Sequence, residues 1–220
     1  MQIELVSFGT LREFKEKNTP CSMGVGLLIF GFNGLGEVSY EKELKGESSF
    51  FEDVAMLSKA GRNIVICGCI TDTRGKKRKS AVVAENGRLL GVSDMLNVID
   101  GEFCCGADLK IYETGVGKIG VVVAEDLYFP EVIKSLSVCG CAYVVCVFGK
   151  VASSIPSVLI RSHAYCYGVP VLFCGEGYGM VADSAGNLAL ATPESPACLE
   201  LKNNQEYHLI ETRQRGFYRL

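Results

Sequence analysis

Histidine is scarce in this sequence, and an excess of positive charge and long apolar runs are missing. Its 220 residues carry 22 Lys and Arg against 25 Asp and Glu, a net charge of −3, which does not favour nucleic acid or an anionic membrane. No apolar run approaches the ~20 residues of a membrane span. The first residues include Glu4 and lack the apolar core of a signal peptide. We therefore expect a cytoplasmic protein that binds neither nucleic acid nor membrane.

The spacing of a metal site is also missing. The sequence has eleven cysteines, but its histidines are only His163 and His208. Neighbouring cysteines form CxC or adjacent pairs rather than CxxC, at Cys67/Cys69, Cys139/Cys141 and Cys104/Cys105. Residues two apart on a strand share a face, which favours buried apolar thiols over the alternative of metal or redox work. Without a secretion signal disulfides are not expected, and we predict no metal and no cofactor.

Two motifs match functional patterns in letters only. GVGKIG (115–120) has the GxGxxG spacing, but a dinucleotide-binding motif follows a strand and opens a helix, whereas this segment leads into the strand-like VVVA. We predict a hairpin turn there. RGKKRKS (74–80) is a basic run that could bind nucleic acid or act as an address signal, but in an acidic chain a solvated loop is the favoured interpretation.

Strand-like apolar runs alternate with helical patterns along the chain. We predict helices from Ser48 or Ser49 to Gly61, from Phe129 to Cys139 and over 156–167, with Pro130 and Gly140 bounding the second. Strands are predicted at 1–8, 26–30, 63–71, 79–85, 88–92, 109–113, 118–124, 143–148 and 171–177, with another hairpin at 183–187. Asn86-Gly87 is a strong hairpin signal. The pattern predicts a layered α/β fold with mixed sheets under helices, as one domain over 1–220.

The segment IGVVVAEDLYFPEV (119–132) predicts a strand that turns sharply into a helix at Ala124. Such a turn exposes its central residue at the carboxyl end of a sheet and directs free helix N–H groups at an anion formed there. Enzymes place a nucleophile at this position. An ordinary loop, with Glu125 and Asp126 as charges at the helix N-terminus, is the alternative on spacing alone.

Four segments together resemble the carbon–nitrogen hydrolases, or nitrilase superfamily. GVVVAEDLYFPE (120–131) resembles the superfamily's G-x-x-x-C-[YE]-D-x-x-F-P-E, with alanine in place of the cysteine. KSAVVAENGRLLG (79–91), RSHAYCYGVPVLFCGEGYG (161–179) and ADSAGNLALATP (182–193) resemble three further segments. The resemblance implies a four-layer αββα sandwich with mixed sheets, paired into a dimer.

The resemblance also implies a Cys-Glu-Lys triad, which this chain lacks. In the superfamily the glutamate takes the thiol proton, the thiolate attacks a nitrile or amide carbon, and the lysine stabilises the oxyanion. The corresponding positions here hold Ala124, Phe32 and either Met95 or Asp94, depending on the alignment. None of these can perform the inherited reaction, so we predict no conventional catalytic residue.

The remaining candidate site residues surround these positions. Glu102 aligns with an assisting glutamate of the superfamily, and Cys104 and Cys105 follow it. We predict a ligand pocket formed by residues at and around the vestigial positions: Phe32, Asp94, Glu102, Cys104, Cys105, Ala124, Glu125, Asp126 and Phe129. An inward-facing Asp94 would favour a cationic or amine ligand.

The sequence therefore supports three functions. The first is a catalytically degenerate member of the superfamily that binds a small-molecule metabolite or an assembly partner. The second is an active amidase with relocated catalytic residues, and the third is a purely structural interaction protein. We also predict a homodimer formed through the helices at 129–139 and 156–167, which carry apolar and aromatic residues such as Leu136, Val138, Tyr165 and Tyr167.

Overall fold

A computed structural model describes residues 1–16, 25–99 and 101–202. His208 lies outside the described residues. The first sheet consists of β1 (Gln2–Val6), β2 (Val25–Phe30), β3 (Glu37–Ser39), β4 (Ile64–Thr73), β5 (Lys76–Glu85), β6 (Arg88–Asp94) and β13 (Ala197–Glu200). Its strand order is β13-β1-β2-β4-β5-β6, and β3 pairs with β4.

The second sheet consists of β7 (Ile111–Thr114), β8 (Gly117–Val123), β9 (Tyr143–Lys150), β10 (Val171–Glu176), β11 (Tyr178–Ala182) and β12 (Leu188–Thr192). These strands are arranged in the order β12-β11-β10-β9-β8-β7. In each sheet a parallel centre, β1-β2-β4 or β8-β9-β10, is flanked by antiparallel strands. Both sheets are therefore mixed, as predicted.

The helices are α1 (Leu11–Glu16), α2 (Tyr40–Leu44), α3 (Phe50–Gly61), α4 (Pro130–Val138) and α5 (Ile155–Tyr167). None of the helices within the described ranges is long and apolar enough to cross a membrane.

Three separate apolar clusters define the layers. Successive strand residues point to opposite faces, so Val121 and Val123 join a cluster between the sheets, while Val122 packs with Ile133 and Ile160 beneath α4 and α5. On the far side of the first sheet a third cluster includes residues of β2, α1 and α3. The four-layer αββα prediction is confirmed; that residues 1–220 form one domain stays a prediction.

Local turn chemistry was predicted well. Asn86 and Gly87 have φ values of +50° and +86° between antiparallel β5 and β6, which matches the hairpin prediction. GVGKIG likewise forms the turn between β7 and β8 and the first part of β8, rather than opening a helix. The basic run at 74–80 was assigned wrongly to a loop, because β5 begins at Lys76.

The ends of α3 differ from the prediction. The serines at its start make no side-chain cap bond; instead the Glu43 carboxylate accepts hydrogen bonds of 3.1 Å from the backbone N–H groups of Phe50 and Phe51. At the other end Gly61 is still helical, and Arg62 adopts the left-handed conformation with φ of +51°. The residue that caps the start of α3 belongs to α2, so the residues immediately before α3 could not reveal it.

Candidate functional site

The strand-to-helix elbow is present and strained at Ala124. β8 ends at Val123, a 3₁₀ turn covers Ala124–Tyr128, and α4 begins at Pro130. Ala124 has φ of +50°, a left-handed conformation that costs a residue with a Cβ about 1–2 kcal/mol. Because alanine has no preference for it, the surrounding structure must impose this conformation.

Asp126 is one residue that holds the elbow in place. Its carboxylate accepts hydrogen bonds of 2.8 Å from the backbone N–H groups of Leu96 and Asn97, and one of 2.9 Å from the Asn97 side-chain amide. Burial raises the pKa of Asp126, and these three bonds act in the opposite direction. The elbow of the second sheet is thereby tied to the segment that follows β6 in the first.

His163 braces the same turn from α5. Its Nε2 lies 3.1 Å from the Leu127 carbonyl oxygen, and its ring stacks on Tyr167. Burial lowers the pKa of His163, so the neutral ring donates from Nε2 at neutral pH. The histidine is thus a structural support for the turn.

The side chains that the resemblance assigns to the triad positions lie in the cluster between the sheets. Phe32, Met95 and Ala124 belong to one buried cluster, and their exposed fractions are 6%, 0% and 3%. Phe32 also donates its backbone N–H to the Phe148 carbonyl, which links the two sheets at 3.3 Å. All three side chains therefore lie between the sheets, and none of them has acid–base function.

Asp94 does not face this region, contrary to the prediction. Ser93 and Asp94 alternate along β6: Ser93 bonds Tyr112 of the inter-sheet cluster, whereas Asp94 accepts a hydrogen bond of 2.6 Å from Ser80. Ser80 alternates with Ala81 of the inter-sheet cluster, so its side chain faces the helices. The position facing the inter-sheet cluster therefore belongs to Met95, and Asp94 supplies no charge to the elbow.

A charged pair that the sequence did not reveal spans the two sheets beside the elbow. Lys79 Nζ of β5 lies 2.6 Å from Glu125 Oε1, and the two side chains are 14% and 24% exposed. The Phe103 ring centroid lies 5.0 Å from Nζ, within cation–π range. The second carboxylate oxygen, Oε2, is buried and has no hydrogen-bond partner among the described residues.

A sequence signal for Lys79 existed. Ala81 and Val83 belong to the inter-sheet cluster, and Lys79 lies two residues earlier on the same strand, so it shares their face. The predicted strand at 79–85 contained this alternation, but Lys79 was also counted in the basic run and interpreted as solvated. Nothing in the local sequence indicated the aromatic partner Phe103.

The other predicted pocket residues lie further from the cluster centre. Glu102 and Cys105 are exposed, and Cys104 is half-buried with its N–H bonded to the Lys77 carbonyl at 2.8 Å. Phe129 packs against the apolar cluster beneath α4 and α5, so it does not face the inter-sheet cluster. The predicted pocket thus divides into a central set and an outer loop.

The prediction of buried thiols is correct for half of the ten described cysteines: Cys67, Cys69, Cys141, Cys146 and Cys174. Burial raises the pKa of Cys141 to about 12 and places those of Cys67 and Cys146 well above the ordinary value. Cys104 is half-buried, and the remaining four, Cys105, Cys139, Cys166 and Cys198, are exposed. Within the described ranges no three potential ligands group together to hold a metal ion.

Comparisons with known proteins agree on the fold. No family model matches the chain. A probable nitrilase of Schizosaccharomyces pombe is 42% identical over 55 residues, a match that covers 24% of this chain and 20% of that protein. The crystal structure of Saccharomyces cerevisiae Nit3, a member of branch 10 of the nitrilase superfamily, has a TM-score of 0.78 at 17% identity, over 98% of this chain and 93% of the other.

An amidase from Nesterenkonia sp. has a TM-score of 0.79 at 15% identity, over 100% of this chain and 95% of the other. A variant of the amidase from Nesterenkonia sp. AN1 with alanine in place of a cysteine, in complex with butyramide, has a TM-score of 0.77 at 15% identity over 100% and 96%. The resemblance seen in the sequence motifs is therefore confirmed, and the chain has the fold of the nitrilase superfamily.

Proposed function

We propose that this chain is a catalytically silent relative of the nitrilases that acts by binding a small metabolite or an assembly partner. The observation that carries the proposal is the side chains at the three triad positions. Ala124 offers no nucleophile, Phe32 cannot accept a proton, and Met95 cannot donate a hydrogen bond to an oxyanion. The inherited reaction therefore has no nucleophile, base or oxyanion donor at its three positions.

A binding role is supported by the structure that remains around these residues. The elbow keeps its strained backbone, and Asp126 still ties it to the opposite sheet. The Nesterenkonia amidase variant, in which alanine replaces a cysteine, holds butyramide. A protein of this fold can thus hold a small ligand after losing a thiol.

We expect the purified protein to release no ammonia above the blank rate from primary amides, nitriles or N-carbamoyl compounds. The reason is that neither an acyl-thioester nor an oxyanion can be stabilised at Ala124. An ammonia assay beside an amidase of the same fold measures this. Turnover that disappears in Lys79→Met or Glu125→Gln, or in Cys104→Ala or Cys105→Ala, would contradict the proposal.

An amidase with relocated residues is the second candidate, favoured by one observation. Lys79 and Glu125 place an ammonium and a carboxylate beside the elbow, the two charge types of the lost triad. However, Cys104 and Cys105 lie in the outer loop, and burial holds Cys146 as a neutral thiol. Without an identified nucleophile this candidate ranks below the binder.

The outward face of α5 supports a homodimer, whether the protein binds a metabolite or serves only as an interaction partner. Ile155, Val158 and Tyr165 are each more than half exposed, and so is Val138 of α4. Val158 and Tyr165 line a groove of about 330 Å³ beside the turn between β11 and β12. Leu136, cited in the dimer prediction, is fully buried and cannot contribute.

We expect a dimer mass in light scattering at micromolar concentration, and a monomer mass for Val158→Glu. A charge on the α5 face would lie in an interface that normally buries about 800 Å² per partner. Met56→Glu is the matched control, because Met56 is also half exposed but belongs to α3 in the opposite helical layer. A monomeric parent, or equal effects of the two substitutions, would contradict the dimer.

A further inference from the structure

The pair formed by Lys79 and Glu125 leaves one acceptor without a donor. A carboxylate has about four lone-pair sites, and Lys79 occupies one on Oε1, while Oε2 is buried and unpartnered among the described residues. Leaving such an oxygen without a donor is unfavourable, so this position favours a ligand that carries N–H groups.

The charges around the elbow are also unequal. Lys79 offsets one of the two carboxylates, Glu125 and Asp126, whereas the donors to Asp126 are neutral N–H groups. The Phe103 ring borders the pair, with its centroid 5.0 Å from Lys79 Nζ. A negative excess beside an aromatic ring matches a cation.

We propose that Glu125, with the Phe103 ring, binds the ammonium group of a small primary amine. This inference rests on the proposed binding function and names its ligand class. An ammonium supplies the N–H donor that Oε2 lacks. It also supplies a second positive charge, which balances the second carboxylate. A neutral amide supplies only the donor, and an anion is repelled by Glu125 and Asp126.

Access to this carboxylate depends on the Glu125 side chain. Glu125 is 24% exposed, so the carboxylate lies at the edge of the inter-sheet cluster rather than at its centre. Because Oε2 itself is buried, the amine reaches it when the Glu125 side chain turns outward, and the Lys79 bond to Oε1 opposes that movement. The amine then shares the carboxylate with Lys79.

Three probes of similar size and different charge test the proposal at pH 7: n-butylamine, butyramide and butyrate, with binding measured by titration calorimetry. We expect n-butylamine to bind most tightly. Glu125→Gln should weaken it by about 10- to 100-fold, the loss of one charge-assisted hydrogen bond. Lys79→Met should tighten it, because it removes a competing cation. Glu131→Gln, which removes an exposed carboxylate on α4, is the matched control and should leave binding unchanged.

The opposite signs of the two variants distinguish the ligand classes. An amide that accepts from Lys79 and donates to Glu125 would be weakened by both substitutions. Tighter binding of butyramide, weakening by both variants, or no saturation by n-butylamine in the millimolar range would overturn the inference. Lys79→Gln repeats the test if Lys79→Met does not fold. Ammonia release from butyramide is a separate readout, and it would refute the proposed function instead.

Discussion

Ala124→Cys alone should leave amide hydrolysis at the blank rate. The new thiol has no base at position 32 and no cation at position 95 to stabilise an oxyanion. Loss of a general base costs roughly 10²–10⁴ in rate, and loss of one oxyanion donor about 10²–10³. The single variant should therefore be about 10⁴- to 10⁷-fold slower than a competent amidase.

The triple variant Phe32→Glu, Met95→Lys and Ala124→Cys restores all three groups, and the structure selects Met95 over Asp94 for the lysine. It must bury a charged pair at the positions where Phe32 and Met95 now lie. Such a pair is tolerated only if the attraction and hydrogen bonds between the two charges compensate their lost solvation. We expect any regained acylation in this variant only. The pair formed by Lys79 and Glu125 remains beside it.

Exposure of each variant to a p-nitrophenyl ester and an amide, followed by intact-protein mass spectrometry, detects the acyl-enzyme. Phe32→Glu with Met95→Lys, but without the thiol, is the control for non-covalent effects. Multiple turnovers of an amide by Ala124→Cys alone would show that a base and an oxyanion donor still exist. Either the assignment of Phe32 and Met95 to the triad positions would then be wrong, or Lys79 and Glu125 would have taken over the two roles.

Gly68→Ala should destabilise the protein by about 3 kcal/mol, at the upper end of the usual cost of overpacking. A Cβ on Gly68 would lie 2.5 Å from both the Phe32 Cα and the Val147 Cγ1, and 2.8 Å from the Gly31 carbonyl oxygen. Two of these atoms are backbone, which cannot move aside by changing rotamer. The substitution therefore pushes β4 away from the segment that carries Phe32.

Gly149→Ala is the matched control, because a Cβ at this β9 position meets open space and the backbone is not left-handed. It should keep or slightly raise the free energy of unfolding. Urea denaturation of both variants gives the comparison. Equal midpoints would mean that the sheets are not closely packed at Phe32.

Features set by local chemistry and alternation were predictable from the sequence. The glycine of the Asn86-Gly87 turn accepts a positive φ, and the apolar runs of β2, β4, β8 and β9 can only be buried. The motif around Ala124 indicated the elbow and therefore the centre of the site. These features require no knowledge of distant residues.

Features that depend on register or distant partners were not predictable in the same way. Whether Asp94 or Met95 faces the other sheet depends on a one-residue choice of register. The Glu43 cap and the contact between Lys79 and Glu125 join residues 7 and 46 positions apart, on different elements. Sequence patterns give the face of an element, but not the partner that the fold brings to it.

The left-handed conformation of Ala124 shows which residues determine the shape of the elbow. Glycine would adopt a φ of +50° without strain, and a cysteine at this position would offer a nucleophile. Alanine has neither advantage. The backbone shape is instead held by surrounding residues such as Asp126, whose carboxylate accepts hydrogen bonds from the N–H groups of Leu96 and Asn97. A turn specified from outside does not depend on the side chain at its centre, so the shape of this elbow requires no nucleophile at position 124.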